Sequence, residues 1–141
     1  MVLVDSCVWS LSFRRRKEAA LDPGEQRLRN LLLDLIAQGN VAMIGPIRQE
    51  VLSGIRQIDQ FQKLKSRLAS IKDADLTTPQ YEEAARLYNL CRSRGVECGP
   101  IAILLCAVAM EKKWAILTYD NGLKRCIQAL GPEGVLEYRG S

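Results

Sequence analysis

Histidine is absent from this sequence, and its absence removes whole classes of chemistry. Ser-His-Asp and Cys-His nucleophilic catalysis, a two-histidine acid–base ribonuclease and the H-E-x-x-H zinc site are all excluded. Long apolar runs are missing too: the longest, residues 101–110, falls well short of the roughly 20 residues a membrane span needs. The N-terminus has no basic leader and no small-residue cleavage site, which predicts a protein that is not exported and stays cytoplasmic. There is no Gly-rich phosphate loop, and no lysine follows a strand as a small α/β phosphatase or a response-regulator-like domain would require. Cysteine is present but unpatterned. Cys7, Cys91, Cys98, Cys106 and Cys126 include no C-x-x-C pair, so the odd count predicts reduced, mostly buried thiols. For hydrolytic chemistry, carboxylates and a hard cation are the tools left.

The 141 residues suit one domain with a real core and are too few for two ordinary ones. The net charge of +4 is clumped, with one basic block at Arg14, Arg15, Arg16 and Lys17 and another at Lys63, Lys65 and Arg67. Such blocks are compatible with a polyanionic partner, and equally with a solvated surface.

Along the chain, residues 1–5 form a short apolar run ending in a carboxylate, the pattern of a parallel strand buried on both faces. Residues 6–23 read as irregular. Leu28, Leu31, Leu32, Leu35 and Ile36 recur at helical spacing, with Gly39 at the cap. A second apolar strand spans 41–45, and Pro46 opens a helix. Phe61, Leu64, Leu68 and Ile71 mark another amphipathic helix, and residues 74–77 read as a short edge strand. Thr78-Pro79 starts a helix that closes at Gly95. Residues 101–112 are apolar almost all round, which predicts a central buried helix. A strand at 114–118, a short helix at 123–129 and a last strand at 135–138 complete the alternation. The expected fold class is α/β, a single-domain three-layer α/β/α sandwich with a mostly parallel central sheet.

Open parallel sheets bind ligands outside the carboxyl ends of their strands. Asp5 and Asp120 directly follow predicted strands, and Glu50 lies about a turn into the helix after the second strand. Three acids converging on one edge would repel one another unless a cation sat between them, and all-oxygen ligation suits Mg²⁺ or Mn²⁺. Each acid also has a plainer reading. Asp5 and Asp120 would cap turns, and Glu50 would be an exposed acid favoured by the helix dipole.

These residues resemble a known family. Val-Leu-Val-Asp-Ser-Cys-Val-Trp at 2–9 resembles the opening of PIN-domain ribonucleases of the VapC toxin type. Ile-Arg-Gln-Glu-Val-Leu-Ser-Gly at 47–54 is similar to the family's Glu-x-Leu-x-Gly segment, with Val-Leu-Ser between Glu50 and Gly54. Leu-Thr-Tyr-Asp at 117–120 matches its strand-end Thr-x-Asp. The resemblance spans nearly the whole chain in order, and its motifs are specific only together.

By this resemblance Asp5, Glu50 and Asp120 match metal-site acids, and the catalytic set would be completed at position 102. There the family has Asp and this sequence has Ala102, in an otherwise intact pattern, which reads as an inactivating replacement, engineered or natural. Gly122 stands where many members carry a further acid. The resemblance implies a PIN-like fold and cleavage of RNA with Mg²⁺ or Mn²⁺, Glu50 orienting or deprotonating a water. Ser6 and Thr118 would orient the carboxylates through their hydroxyls, local turn bonding being the alternative. Arg14, Arg15 and Arg16 would grip RNA phosphates, simple solvation being the alternative, and Trp9 and Phe13 would stack on bases unless Trp9 packs in the core. It also implies a VapB-like antitoxin, seated in a groove along helices 46–71, and a homodimer. A housekeeping RNA-processing PIN nuclease and a non-catalytic PIN-fold binding module are the alternatives.

Overall fold

The computed structural model describes residues 1–13, 21–131 and the backbone of 136–138. Four strands form one sheet: β1 (Val2–Val4), β2 (Val41–Ala42), β3 (Ala115–Leu117) and β4 (Leu136–Tyr138), in the order β2-β1-β3-β4. Every pairing is parallel, with Val2 opposite both Val41 and Ala115, and Ala115 opposite Leu136. Val2, Leu3 and Val4 are all buried, so β1 is covered on both faces as its unbroken apolarity requires.

The helices lie in two groups that flank this sheet. The first comprises α1 (Ser6–Phe13), α2 (Pro23–Ala37), α3 (Gly45–Leu52) and α4 (Ile58–Leu68), in contact through α1·α2, α1·α3 and α3·α4. The second comprises α5 (Thr78–Ser93), α6 (Pro100–Lys112) and α7 (Asn121–Ala129). Central α6 packs on α5, α7 and β3 and buries every residue from 103 to 109. The three-layer α/β fold is therefore as expected.

Local chemistry explains most boundaries. A capping box starts α2: Asp22 accepts from the Glu25 amide, and the Glu25 side chain accepts from the Asp22 amide. Thr77 and Gln80 do the same for α5. Gly39, at φ 70°, takes the left-handed turn after α2 that a side chain would strain.

Four expectations need correction. Residues 6–13 are helical: α1 forms because Val8, Trp9 and Leu11 are buried there, tertiary packing overriding the modest helix propensities of Ser, Cys, Trp and Phe. The edge strand at 74–77 shrinks to one bridge, Met43 with Asp73. The second strand ends at Ala42 and α3 begins at Gly45. Finally, Cys98 and Cys126 are joined by a disulfide, their Cα atoms 6.0 Å apart; both lie in the core, where packing of α7 against α6 brings them together. Cys7, Cys91 and Cys106 form no disulfide.

Candidate active site

From β1 the chain first moves to β2 on one side, then crosses back to β3 on the other. The connection reverses between β1 and β3, and such a switch point opens a crevice at the carboxyl edge. Asp5 follows β1 and Asp120 lies three residues past β3, so neighbouring strands deliver both acids to that crevice. The Asp5 amide donates to the Leu117 carbonyl at 2.9 Å, which extends the strand pairing to the first acid itself.

A cavity of about 390 Å³ opens there, lined by Asp5, Ser6, Cys7, Glu50, Ala102 and Asp120 together with Gly99, Pro100, Ile101 and Leu123. Its floor is a hydrogen-bonded relay. Asp5 Oδ1 accepts from the Ser6 amide at 2.8 Å, and Asp5 Oδ2 accepts from the Thr118 hydroxyl at 2.9 Å. Thr118 Oγ1 in turn accepts from the Asp120 amide at 3.0 Å. Asp120 caps α7 through Oδ2, which accepts from the Leu123 amide at 2.8 Å. The cap uses one oxygen of a carboxylate that has two.

Asp5 is 9% exposed and Thr118 1%. Burial is the main cause that raises the Asp5 pKa, Asp120 raises it further, and the bonds from Thr118, Cys7 and Ser6 oppose the rise. A buried carboxylate with another nearby is an arrangement a cation relieves. Cys7 Sγ lies 3.4 Å from Asp5 Oδ2. Burial first, and the Asp5 charge second, push its pKa up to about 11, so it is a neutral donor to Asp5 and not a nucleophile.

Glu50 and Ala102 make the rim. Glu50 is exposed on α3, and Ala102 is half-buried in the first turn of α6. All four expected site positions thus line one cavity. Among the described residues, however, no group of three or more Cys, Asp or Glu is drawn together closely enough to hold a metal ion.

Ser6 engages Asp5 through its backbone N–H, whereas Thr118 uses its hydroxyl. Trp9 cannot stack on a base: it is fully buried, donates Nε1–H to the Val4 carbonyl at 3.1 Å and stacks on Phe13. Core packing is therefore the reading of Trp9 that holds, because α1 turns its ring inward. Arg14, Arg15 and Arg16 lie outside the described residues. Cys7 was overlooked as a lining residue; its signal is the helix that starts directly after a strand end, which returns the second residue to the same edge. A larger cavity of about 770 Å³ involves Gln80, Glu83, Arg86 and Met110 on α5 and α6. It includes none of the strand-end acids, and its buried Gln80 is already bonded to Thr77 and Glu111.

Residues 2–126 match the family model of the PIN domain. The chain belongs to the PIN-domain family. PIN domains are typically nucleases that use divalent metal ions. The same fold is found in the crystal structure of FitAcB from Neisseria gonorrhoeae, with a TM-score of 0.68 and 18% identity over 98% of this chain and 96% of that one. No match is found among curated proteins. Among the described residues of this PIN domain, no helix is long and apolar enough to cross a membrane.

Proposed function

We propose that this PIN domain is built as a Mg²⁺- or Mn²⁺-dependent endoribonuclease of the VapC toxin type, and that Ala102 leaves this copy inactive or impaired. The observation that carries the proposal is the shared cavity. Asp5, Glu50 and Asp120 line it, and so does the one position where the family pattern calls for an acid and this chain has a methyl group.

The donor set fits a hard cation, since every candidate ligand is a carboxylate oxygen. Asp5 and Asp120 would hold the ion, with Glu50 as a further ligand or as the base. When bound, the ion would acidify a water and offset charge growing on the phosphate oxygens. Thr118 keeps the Asp5 carboxylate turned toward the cavity and couples it to the Asp120 backbone. A Glu50 oxygen, exposed on the rim, would take the proton of the attacking water. Arg14, Arg15 and Arg16 would bind flanking phosphates.

In this reading a VapB-like antitoxin restrains the active parent, docking along α3 and α4, and the protein works as a homodimer. A second reading, a non-catalytic PIN-fold binding module, is favoured by Ala102 itself and by the lack of a ready-made ligand group. One experiment separates the two. The purified Ala102→Asp protein is assayed on structured RNA with Mg²⁺ or Mn²⁺. EDTA-sensitive cleavage is expected; a folded protein that cuts no RNA under any divalent condition overturns the nuclease reading.

A further inference from the structure

The second basic block, Lys63, Lys65 and Arg67, has no part in the cavity. Helix α4 buries Leu64 and Leu68 and leaves all three cations exposed. They do not share a face. At 3.6 residues per turn, Lys63 and Arg67 lie about 40° apart on one stripe, whereas Lys65 lies about 160° from each.

The stripe has a fixed place. The Arg67 guanidinium sits over the Phe13 ring, 5.0 Å from its centroid. Phe13 ends α1, which begins beside Asp5, and eight residues of helix rise about 12 Å. The same C-terminal end of α4 is tied to α3: Arg48 donates to the carbonyls of Leu68 and Ile71 and pairs with Asp73 at 2.9 Å. So the C-terminal end of α4 is secured against α1, which begins next to Asp5, and against α3, which carries Glu50. Asp59, a turn before Lys63, bounds the positive stripe at the end away from Phe13.

Electrostatics give the stripe a purpose. The cavity presents Asp5, Glu50 and Asp120, which repel a polyanion approaching it. A strand with its scissile link in the cavity needs its flanking phosphates gripped outside it, and exposed cations beside the C-terminal end of α1 supply that grip. A guanidinium stacked on an aromatic ring loses less freedom on binding and keeps its edge donors free for phosphate.

We propose that Lys63 and Arg67 form a phosphate-binding stripe for one strand of RNA whose scissile link lies in the cavity. This rests on the RNA-nuclease reading, and Lys65 supplies a matched control on the same helix with the same change in net charge.

The test is fluorescence anisotropy with a fluorescein-labelled single-stranded RNA, in EDTA to prevent cleavage, over a salt series. Thermal melting checks that each variant is folded. Lys63→Ala and Arg67→Ala are each expected to raise Kd about fivefold near 0.1 M salt and to reduce the salt slope by about 0.7, the loss of one phosphate contact. Lys65→Ala should change neither, and Arg67→Lys should retain most of the affinity. Equal effects of Lys63→Ala and Lys65→Ala would show that only net charge matters and overturn the stripe while leaving the nuclease reading intact. A parent protein that binds no RNA would overturn both. Weakened capture of poly-glutamate with unchanged RNA binding would assign the stripe to an acidic protein partner and overturn it likewise.

Discussion

Asp5 and Asp120 stand on a floor that strand pairing, the Thr118 hydroxyl and a helix cap hold in place, whereas Glu50 and Ala102 stand on a rim supplied by two helices. The floor acids have little freedom. Their oxygens are aimed by backbone amides and a buried hydroxyl, and burial already raises the Asp5 pKa. On the rim, Glu50 is exposed and position 102 brings only a methyl group. The difference explains how position 102 can carry alanine or an acid without loss of fold. Ala102 is among the best helix formers and lies in the first turn of a helix anchored by seven consecutive buried residues beyond it. A floor residue could not be replaced so freely.

Breaking the floor should therefore cost far more than altering the rim. The largest effect is expected from Trp9→Ala, which empties a fully buried site beneath β1 and leaves the Val4 carbonyl without its indole partner. Chemical denaturation should show a loss of about 3–5 kcal/mol. Next comes the disulfide, which joins partners 28 residues apart and closes a loop containing Ala102, Thr118 and Asp120. A Cys126→Ser variant, or reduction with dithiothreitol, should lower stability by about 3–4 kcal/mol. Alkylation of the unreduced, denatured protein should label Cys7, Cys91 and Cys106 and leave Cys98 and Cys126 unmodified.

A narrower break is Thr118→Val, which keeps the shape and removes the hydroxyl between Asp5 and Asp120. Metal affinity in the Ala102→Asp background should fall about 10–100-fold, read by Mn²⁺ titration. The smallest effects distinguish floor from rim by pH. Because the folded state holds the Asp5 proton more tightly than the unfolded chain does, the stability this gives is present below the unfolded value near 3.8 and is lost as pH rises through the raised folded value. Metal-free Asp5→Asn should thus melt higher than the parent at neutral pH, with the gap closing in acid. Glu50→Gln on the exposed rim should stay within about 0.5 kcal/mol of the parent.

The floor was legible in the sequence and the rim partly so. Unbroken β-branched and apolar runs ending in Asp5 and Asp120 identify buried parallel strands, and the strand-end rule then places both acids on one edge. Glu50 was legible as an acid one turn into the helix after the second strand, whereas position 102 came only from resemblance to a family, since an apolar helix residue carries no signal of a site. Helix α1 was not legible, because Ser, Cys, Trp and Phe carry no helix signal and only burial makes them helical. The Cys98–Cys126 bond was equally hidden: partners 28 residues apart are a property of how α7 packs on α6. Residues 74–77 were over-read, as Ala74 donates to the Met43 carbonyl at 2.7 Å and then the chain leaves the sheet.

The most direct test of the account is Mn²⁺ titration calorimetry on the parent and the Ala102→Asp protein side by side. If the cavity is a PIN metal site short of one acid, the variant should bind Mn²⁺ at least about tenfold more tightly than the parent. Equal affinities in two well-folded proteins would contradict the assignment of position 102, and with it the claim that a missing carboxylate separates this chain from an active nuclease.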